Sequence, residues 1–322
     1  MKPVPIVLLG EPDNLAINSA FCNNGNGWDI FPRYVPRKEG KPGELSYIGR
    51  CSQSGIYRPD FITPSGSEVG IEDAVCFDSK TIGCNVVIRS KSPITGKQTL
   101  KPIPTIFEID PRGRPVQTGQ LTGKLVDMFC KNFTPISRGL ALIRPTLNQY
   151  NGMAWEDPRI LLCRWNGHLE NLEPVEVFLR ARPGEGIGVS APPVDTPFGR
   201  ILVIHRITWN QDRTKRAYSH YPLLLSSKRP WEIIAYSDTA IVSCGMFDQT
   251  SDFWIEGATY LRNIYYDPIS DRLCSIVTVV DLHNYWWEAS LPAIIRTMKP
   301  ITPDYMSGSF FIILLIRAVC YL

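Results

Sequence analysis

A small set of residues in this sequence has the types and spacing that suit acid–base chemistry on an anionic ligand. Two Glu-Asp pairs occur, one at Glu72–Asp73 and one in the run Glu156–Arg159. A carboxyl group can donate a proton in a transition state, while arginine and histidine side chains can hold an anion. Taken alone, however, Asp73 suits a turn, Arg144 at a strand end suits the surface, and His205 in an apolar run suits a hydrogen-bonded core position. Residue type alone therefore does not decide their role.

Other catalytic signatures are missing from the sequence. The four histidines show no HxxxH spacing, the nine cysteines form no CxxC pair, and there is no GxSxG, P-loop or dinucleotide-binding glycine pattern. The sequence therefore predicts no bound metal and no organic cofactor. An odd, scattered set of cysteines is typical of buried free thiols in a reducing compartment.

Composition and the chain ends limit the class of protein. Hydrophobic residues make up 44% of the 322 residues, and the net charge is only +3, which argues against a disordered chain and against a nucleic-acid partner. The first residues lack the pattern of a secretory signal, so we expect a cytoplasmic protein. The apolar run Phe310–Ile316 is interrupted by Arg317 and is too short to span a bilayer.

The elements that position these residues are predicted to be strands. Apolar, β-branched and aromatic runs of four to eight residues alternate with Pro, Gly, Asn, Asp and Ser clusters. Helical periodicity occurs only over Trp286–Arg296, where Pro292 interrupts it. The pattern predicts an all-β protein with about fifteen or more strands, which favours a propeller of four-stranded blades over a simple sandwich. We expect a single domain over residues 1–304 and a C-terminal tail, 305–322, of uncertain status.

Several segments match the motifs of one known family in order along the chain. They are Ile17–Phe21 (a first-blade N-x-A element), Phe31–Arg33 (LLYR), Val69–Ala74 (GVEDPR), Ala141–Pro145 (LLHRP), Ile187–Thr196 (IGAGAPPIxT), Arg200–Arg206 (GWLLIYHG), Tyr218 with Pro230–Ile234 (YxxGAALLDLxDPxKVI) and Val279–Asp281 (YYGAAD). In this order the sequence resembles glycoside hydrolase family 130 and the related glycosyltransferase family 108, the β-mannoside phosphorylases and transferases. The resemblance implies a five-bladed β-propeller.

The resemblance also implies an activity and a set of roles. It implies an inverting phosphorylase in which inorganic phosphate, rather than a second carboxylate, attacks a β-mannoside such as a β-1,2-mannan and yields mannose 1-phosphate. Asp73 would be the proton donor, acting through a sugar hydroxyl. The other implied site residues are Arg144, His205 and Tyr218 for phosphate, and Asn18, Arg33 and Asp281 for mannose. The implied partners are a mannose-containing oligosaccharide and phosphate or mannose 1-phosphate, with a homo-oligomer also possible.

The better local match to the acid motif is Glu156–Arg159, but its position disfavours it. About two blades separate the acid motif from IGAGAPPI in the family, whereas fewer than thirty residues separate Arg159 from Ile187. Asp73 is therefore predicted to be the acid rather than Asp157.

The sequence departs from the family pattern at three places. Val75 replaces the motif arginine, Arg206 replaces the YHG glycine as an additional phosphate candidate, and the loop at Phe133–Ser137 is shortened. Three alternatives to a phosphorylase stay open: a β-mannosyltransferase that uses a nucleotide sugar, a β-mannosidase, and a propeller that only binds glycans. Val75 and the shortened loop favour the last of these.

Overall fold

The fold consists of five antiparallel sheets arranged as a five-bladed β-propeller, which confirms the predicted fold class. The computed structural model describes residues 3–6, 14–25, 27–36, 46–53, 55–91, 96–146, 158–209, 216–247, 258–279 and 283–301. Asp157, Asp281 and the tail 305–322 lie outside these residues. Within them, no helix is long and apolar enough to cross a membrane.

The first three blades each contain four strands in simple sequential order. The first strand of the chain, β1 (Val4–Ile6), belongs to another blade. Blade 1 consists of β2 (Asn14–Asn23), β3 (Trp28–Pro36), β4 (Tyr47–Ser52) and β5 (Tyr57–Ile62). Blade 2 consists of β6 (Glu68–Cys76), β7 (Thr81–Lys91), β8 (Gln98–Ile109) and β9 (Pro115–Gln120). Helix α1 (Lys124–Asp127) leads into blade 3, which consists of β10 (Lys131–Ser137), β11 (Leu140–Arg144), β12 (Arg159–Arg164) and β13 (Glu173–Arg180).

The last two blades contain additional strands. Blade 4 consists of β14 (Gly186–Thr196), β15 (Gly199–Trp209), β16 (Arg216–Leu225) and β17 (Ile233–Ser237), with β18 (Val242–Ser243) beside β16 and β23 (Met298–Pro300) beside β17. Blade 5 consists of β19 (Thr259–Leu261), β20 (Tyr265–Asp267), β21 (Arg272–Val279) and β22 (His283–Ser290). Strand β1 pairs with β22, so an N-terminal strand completes the last blade.

Apolar side chains pack between neighbouring blades and hold the innermost strands in place. Blades 3 and 4 share a cluster that includes Leu142, Ile187 and Ile204, each fully buried. At about 25 cal/mol for each Å² of apolar surface removed from water, each such side chain stabilises the fold by about 1.5–3 kcal/mol. The eight cysteines in the described part of the chain are free thiols, and six of them are buried.

One local expectation is wrong. The sequence predicts helical periodicity over Trp286–Arg296, interrupted by Pro292, but β22 continues to Ser290 and helix α2 spans only Leu291–Thr297. The Ser290 side chain caps this helix by accepting a hydrogen bond from the Ala293 amide. Pro292 lies in the first turn, where its missing N–H is not needed, so it begins the helix rather than interrupting it.

A one-residue bulge recurs in the innermost strand of blades 1 to 3. The pairing register shifts between Ile17 and Ala20 in β2, between Glu72 and Val75 in β6, and between Lys131 and Thr134 in β10. The extra residues include Asn18, Asp73 and Asn132, whose φ angles are 48°, 59° and 57°. Asn and Asp tolerate this left-handed conformation better than other residues with a side chain. A bulge redirects a side chain, and all three of these line one cleft.

Candidate active site

The cleft lies where the innermost strands of the blades meet. It has a volume of about 600 Å³, part of it open to solvent. Its described lining is almost entirely polar: Asn18, Arg33, Glu72, Asp73, Lys131, Asn132, Arg144, His205, Arg216, Tyr218, His220, Thr259, Tyr260, Leu261 and Arg262.

Asp73 is the carboxylate at the centre of this lining, and its side chain is only 10% exposed. The Arg262 guanidinium forms an ion pair with Oδ1, while Asn85 Nδ2 donates to Oδ2 at 3.3 Å and Lys131 Nζ lies 4.0 Å from Oδ2. Burial by itself raises the pKa of Asp73. The positive charges of Arg262 and Lys131 outweigh burial and hold this pKa below its usual range, with smaller contributions from Arg33 and Arg144. Beside these cationic neighbours Asp73 is therefore ionised.

Glu72 connects the same cluster to blade 1. Its carboxylate forms an ion pair with Lys131 Nζ, and Arg33 Nη1 lies 3.5 Å from Oε2. Together with Asp73 and Arg262, these residues form a row in which positive and negative side chains alternate. The row fixes the direction of each charged group, because no member can rotate away without leaving a buried charge unpaired.

Arg144 and His205 form a second polar group, in contact with the innermost strand of blade 4. Arg144 Nη1 lies 3.1 Å from His205 Nε2. Both side chains pack against the backbone at Gly188, where a Cβ atom would lie 2.6 Å from His205 and 2.8 Å from Arg144 Nη1. Only glycine leaves room for this arrangement.

Aromatic rings border the same group. The Tyr218 ring lies 5.5 Å from the His205 ring and 5.3 Å from the Tyr260 ring, measured between centroids. The Arg216 guanidinium lies 5.4 Å from the centre of the Tyr218 ring. The positive charge of Arg216 thereby lies in the same cleft as Arg144 and His205.

Asn18 and Arg33 lie on blade 1 and line the same cleft as Asp73. The Asn18 amide N–H donates to Thr278 Oγ1 at 2.8 Å, which holds the bulge in place. In the described part of the chain, five buried atoms of the cleft residues have no hydrogen-bond partner: Asn18 Oδ1, Arg33 Nε, Asn132 Oδ1, Arg144 Nε and Arg262 Nε. Buried polar atoms normally have partners, so this set favours a polar ligand that supplies them.

The charges of the lining favour an anion. Five cationic side chains and two carboxylates face the cleft among the described residues. Both histidines are neutral, because burial lowers their pKa, that of His205 well below its usual range and that of His220 to about 4. In the same ranges, no three His, Cys, Asp or Glu side chains converge as a metal site. The lining can thus bind an oxyanion and place it near a carboxyl group.

The structure brings six of the seven predicted site residues into this cleft: Asn18, Arg33, Asp73, Arg144, His205 and Tyr218. The seventh, Asp281, lies outside the described residues. Arg206, the additional phosphate candidate, is not part of the described lining. It instead forms a bidentate pair with Glu185, at 2.5 and 3.0 Å.

Sequence reasoning missed eight polar or aromatic residues of the described cleft lining: Glu72, Lys131, Asn132, Arg216, His220, Thr259, Tyr260 and Arg262. Arg262 supplies a guanidinium beside Asp73, although the two residues are 189 positions apart in the sequence. The available signal was an Asn or Asp within a strand-like run, as at Asn18, Asp73 and Asn132, which marks a position that tolerates a bulge.

Solved structures of β-mannoside-active enzymes have the same fold. The β-1,2-mannobiose phosphorylase from Listeria innocua is 14% identical, with a TM-score of 0.61 over 92% of this chain and 96% of that chain. MPT-4, a mannose phosphorylase from Leishmania mexicana in complex with phosphate, is 11% identical, with a TM-score of 0.61 over 94% and 92%. A structure reported with the GH130 hydrolases that target β-1,2 mannosidic linkages in Candida mannan is 13% identical, with a TM-score of 0.62 over 90% and 86%.

No family model and no curated protein matches this sequence. At 11–14% identity, the likeness to the three structures shows the propeller fold.

Proposed function

We propose that this protein is an inverting glycoside phosphorylase that acts on β-mannosides, with inorganic phosphate as co-substrate and mannose 1-phosphate as product or donor. The observation that carries the proposal is that Asp73 and the anion-binding group Arg144–His205–Tyr218 share one cleft. The fold shared with mannoside phosphorylases and hydrolases supports the same reaction class.

Inverting cleavage needs an acid beside the leaving oxygen and a nucleophile on the opposite face of the sugar ring. Asp73 provides the acid, donating its proton through a sugar hydroxyl. Phosphate held by Arg144 and His205 provides the nucleophile, so no second catalytic carboxylate is required. Glu72 is already engaged by Arg33 and Lys131, which suits a structural charge rather than a base.

Asp73 must gain a proton before it can act as an acid, and phosphate binding favours this by raising the pKa of Asp73. A bound dianion offsets the charges of Arg144 and Arg262, and these charges help to lower the pKa of Asp73. Once they are offset, burial raises this pKa and favours the protonated carboxyl. Phosphate therefore binds first, and the acid forms in the complex.

Mannose occupies the blade 1 side of the cleft. Asn18 Oδ1 and Arg33 Nε are buried and lack a partner among the described residues, and sugar hydroxyls can pair with both. Asp281 would add a carboxylate for a further hydroxyl. The sugar ring then lies between this wall and the phosphate group.

The decisive experiment is to incubate the protein with β-1,2-mannobiose, with and without phosphate, and to analyse the sugars formed. Mannose 1-phosphate in the phosphate reaction alone supports the proposal. Free mannose at equal rates in both reactions establishes a hydrolase, and turnover of a nucleotide-activated mannose without phosphate establishes a transferase. The matched control is Arg206→Gln, which removes an arginine of blade 4 that pairs with Glu185 outside the described cleft lining.

A glycan-binding propeller without catalysis is the second candidate. The Asp73–Arg262 ion pair favours it, because it keeps the acid ionised in the empty cleft. Mannobiose binding without turnover, in the presence of phosphate, would establish this candidate.

A further inference from the structure

Arg144 and His205 of the anion-binding group form one continuous row of hydrogen bonds with Ser190 and His220. Arg144 Nη1 lies 3.1 Å from His205 Nε2, and His205 Nδ1 lies 3.3 Å from Ser190 Oγ. Ser190 Oγ lies 2.8 Å from His220 Nδ1, and His220 Nε2 lies 2.9 Å from the Thr259 carbonyl oxygen. Ser190, His205 and His220 are 4%, 6% and 1% exposed.

The two ends of this row determine where every proton lies. A guanidinium only donates, so His205 Nε2 accepts from Arg144 and the His205 proton is on Nδ1. A carbonyl oxygen only accepts, so the His220 proton is on Nε2 and points to Thr259. Ser190 then accepts from His205 Nδ1–H and donates to His220 Nδ1. Each hydrogen bond in the row has one donor and one acceptor.

In this state His205 offers no N–H to the cleft, because its cleft-side nitrogen carries a lone pair. An oxyanion placed there would meet that lone pair and repel it. For His205 to donate to the anion, a proton must arrive at Nε2, and the row behind it offers a path for the proton already on Nδ1.

We propose that Ser190 and His220 form a proton relay behind His205, through which the cleft binds a phosphate-type oxyanion together with one proton. The inference rests on the proposed phosphate site. Ser190 and His220 are positioning residues, since the relay acts on the anion through His205. The family motif quoted above has glycine at the position of Ser190, so the relay is a feature of this chain.

The proton transfers balance as follows for dihydrogen phosphate. The anion gives one proton to His205 Nε2, His205 gives its Nδ1 proton to Ser190 Oγ, and Ser190 gives its own proton to His220 Nδ1. Phosphate becomes the dianion, His205 and Ser190 remain neutral, and His220 becomes an imidazolium that still donates to Thr259. The new positive charge is thus placed on His220 rather than beside Arg144.

The surrounding charges give the binding a pH dependence of definite sign. Burial lowers the pKa of both histidines, and the charges of Arg144, Arg262 and Arg216 lower that of His205 further. At His220 the hydrogen bond to the Thr259 carbonyl raises the pKa and partly offsets burial, whereas the charge of Arg262 lowers it. A bound dianion offsets these arginines, so the imidazolium is more stable in the complex than in the empty protein. Binding therefore takes up a proton, and the affinity falls as pH rises, by about tenfold for each pH unit while one proton is taken up.

Sulfate is a suitable probe, because it brings no proton of its own at neutral pH. Calorimetry of sulfate binding in two buffers of different ionisation enthalpy counts the protons taken from solution. Because Asp73 also gains a proton when a dianion binds, the calorimetry is done on the Asp73→Asn protein, in which His220 is the expected site of proton uptake. In that background we expect about one proton per sulfate, and the same after adding Ser190→Thr, which keeps the hydroxyl. Adding Ser190→Ala instead should weaken sulfate binding at least about tenfold in mildly acidic buffer and remove most of the pH dependence.

A second measurement needs no variant and excludes a folding defect as the cause. The ¹⁵N resonances of the histidine side chains should show His205 changing from the Nδ1–H to the Nε2–H form on sulfate addition, with His220 becoming an imidazolium. Unchanged histidine resonances, or a Ser190→Ala protein with wild-type affinity and pH dependence, would overturn the relay. Sulfate binding with proton uptake but no mannose 1-phosphate formation would leave the relay standing and remove the proposed phosphorylase.

Discussion

Replacing Arg262 with glutamine tests the electrostatic control of the acid most directly. Arg262 and Asp73 form a buried ion pair, with side chains 7% and 10% exposed. Two unit charges at 4 Å interact by about 4 kcal/mol at an effective dielectric constant of 20. Removing the guanidinium should raise the pKa of Asp73 by the equivalent amount, which is about a thousandfold in its acid dissociation constant.

The same substitution should also change stability in a pH-dependent way. The pKa of Asp73 is lower in the folded protein than in the unfolded chain, so its ionised form stabilises the fold above about pH 4, and this contribution is lost as pH falls through the folded pKa. Breaking a buried pair costs about 3–5 kcal/mol, and Lys131 remains as a partner, so we expect a loss of about 3 kcal/mol for Arg262→Gln at neutral pH. The difference from wild type should shrink below about pH 4.

Titration of ¹³C-labelled aspartate carboxyls, with Asp73→Asn to assign the resonance, measures the pKa, and urea unfolding at neutral and acidic pH measures stability. The control is Arg206→Gln, which breaks another largely buried pair, with Glu185, at side-chain exposures of 13% and 19%. It should cost stability without changing the pKa of Asp73. An unchanged Asp73 pKa in Arg262→Gln, or an equal rise in the control, would refute the reasoning.

Three further substitutions test the other parts of the cleft. Arg144→Ala removes charge-assisted hydrogen bonds of about 1.5–3 kcal/mol, so KM for phosphate should rise at least about tenfold in initial-rate assays; an unchanged KM would show that phosphate binds elsewhere. Gly188→Ala should push Arg144 and His205 apart, cost about 1–3 kcal/mol in chemical unfolding and weaken phosphate binding; a fully stable, fully active variant contradicts the packing described here. Asp73→Asn should lower kcat by about 10²–10⁴-fold, whereas Asp157→Asn should change it only a few-fold, and the reverse result would overturn the choice of acid.

The sequence was sufficient to predict the fold because strand and turn signals are local. Alternating apolar runs and frequent Pro and Gly predict strands, and the ordered motifs then indicate five blades. Six site residues could be located in the same way, since each lies in or beside one of those motifs. Arg262 could not be located from the sequence, because its role depends on an ion pair with Asp73, which is 189 residues away. The residues around Arg262 form no motif that indicates this partner. Ser190 and His220 were also missed, because their proposed roles depend on a hydrogen bond between side chains of two different strands, β14 and β16.

The repeated bulge gives a structural reason to propose Asp73 as the acid, even though the sequence shows no clear repeat. In blades 1 to 3, one extra residue in the innermost strand places Asn18, Asp73 and Asn132 in the same left-handed conformation, each facing the cleft. The three positions are therefore structural equivalents, and only blade 2 has a carboxyl there. Asp157 itself lies outside the described residues; the next strand in the sequence, β12, is the third strand of blade 3 rather than its innermost strand. Among the three bulge positions only Asp73 carries a carboxyl into the cleft, and this geometry supports the proposal that Asp73 is the acid.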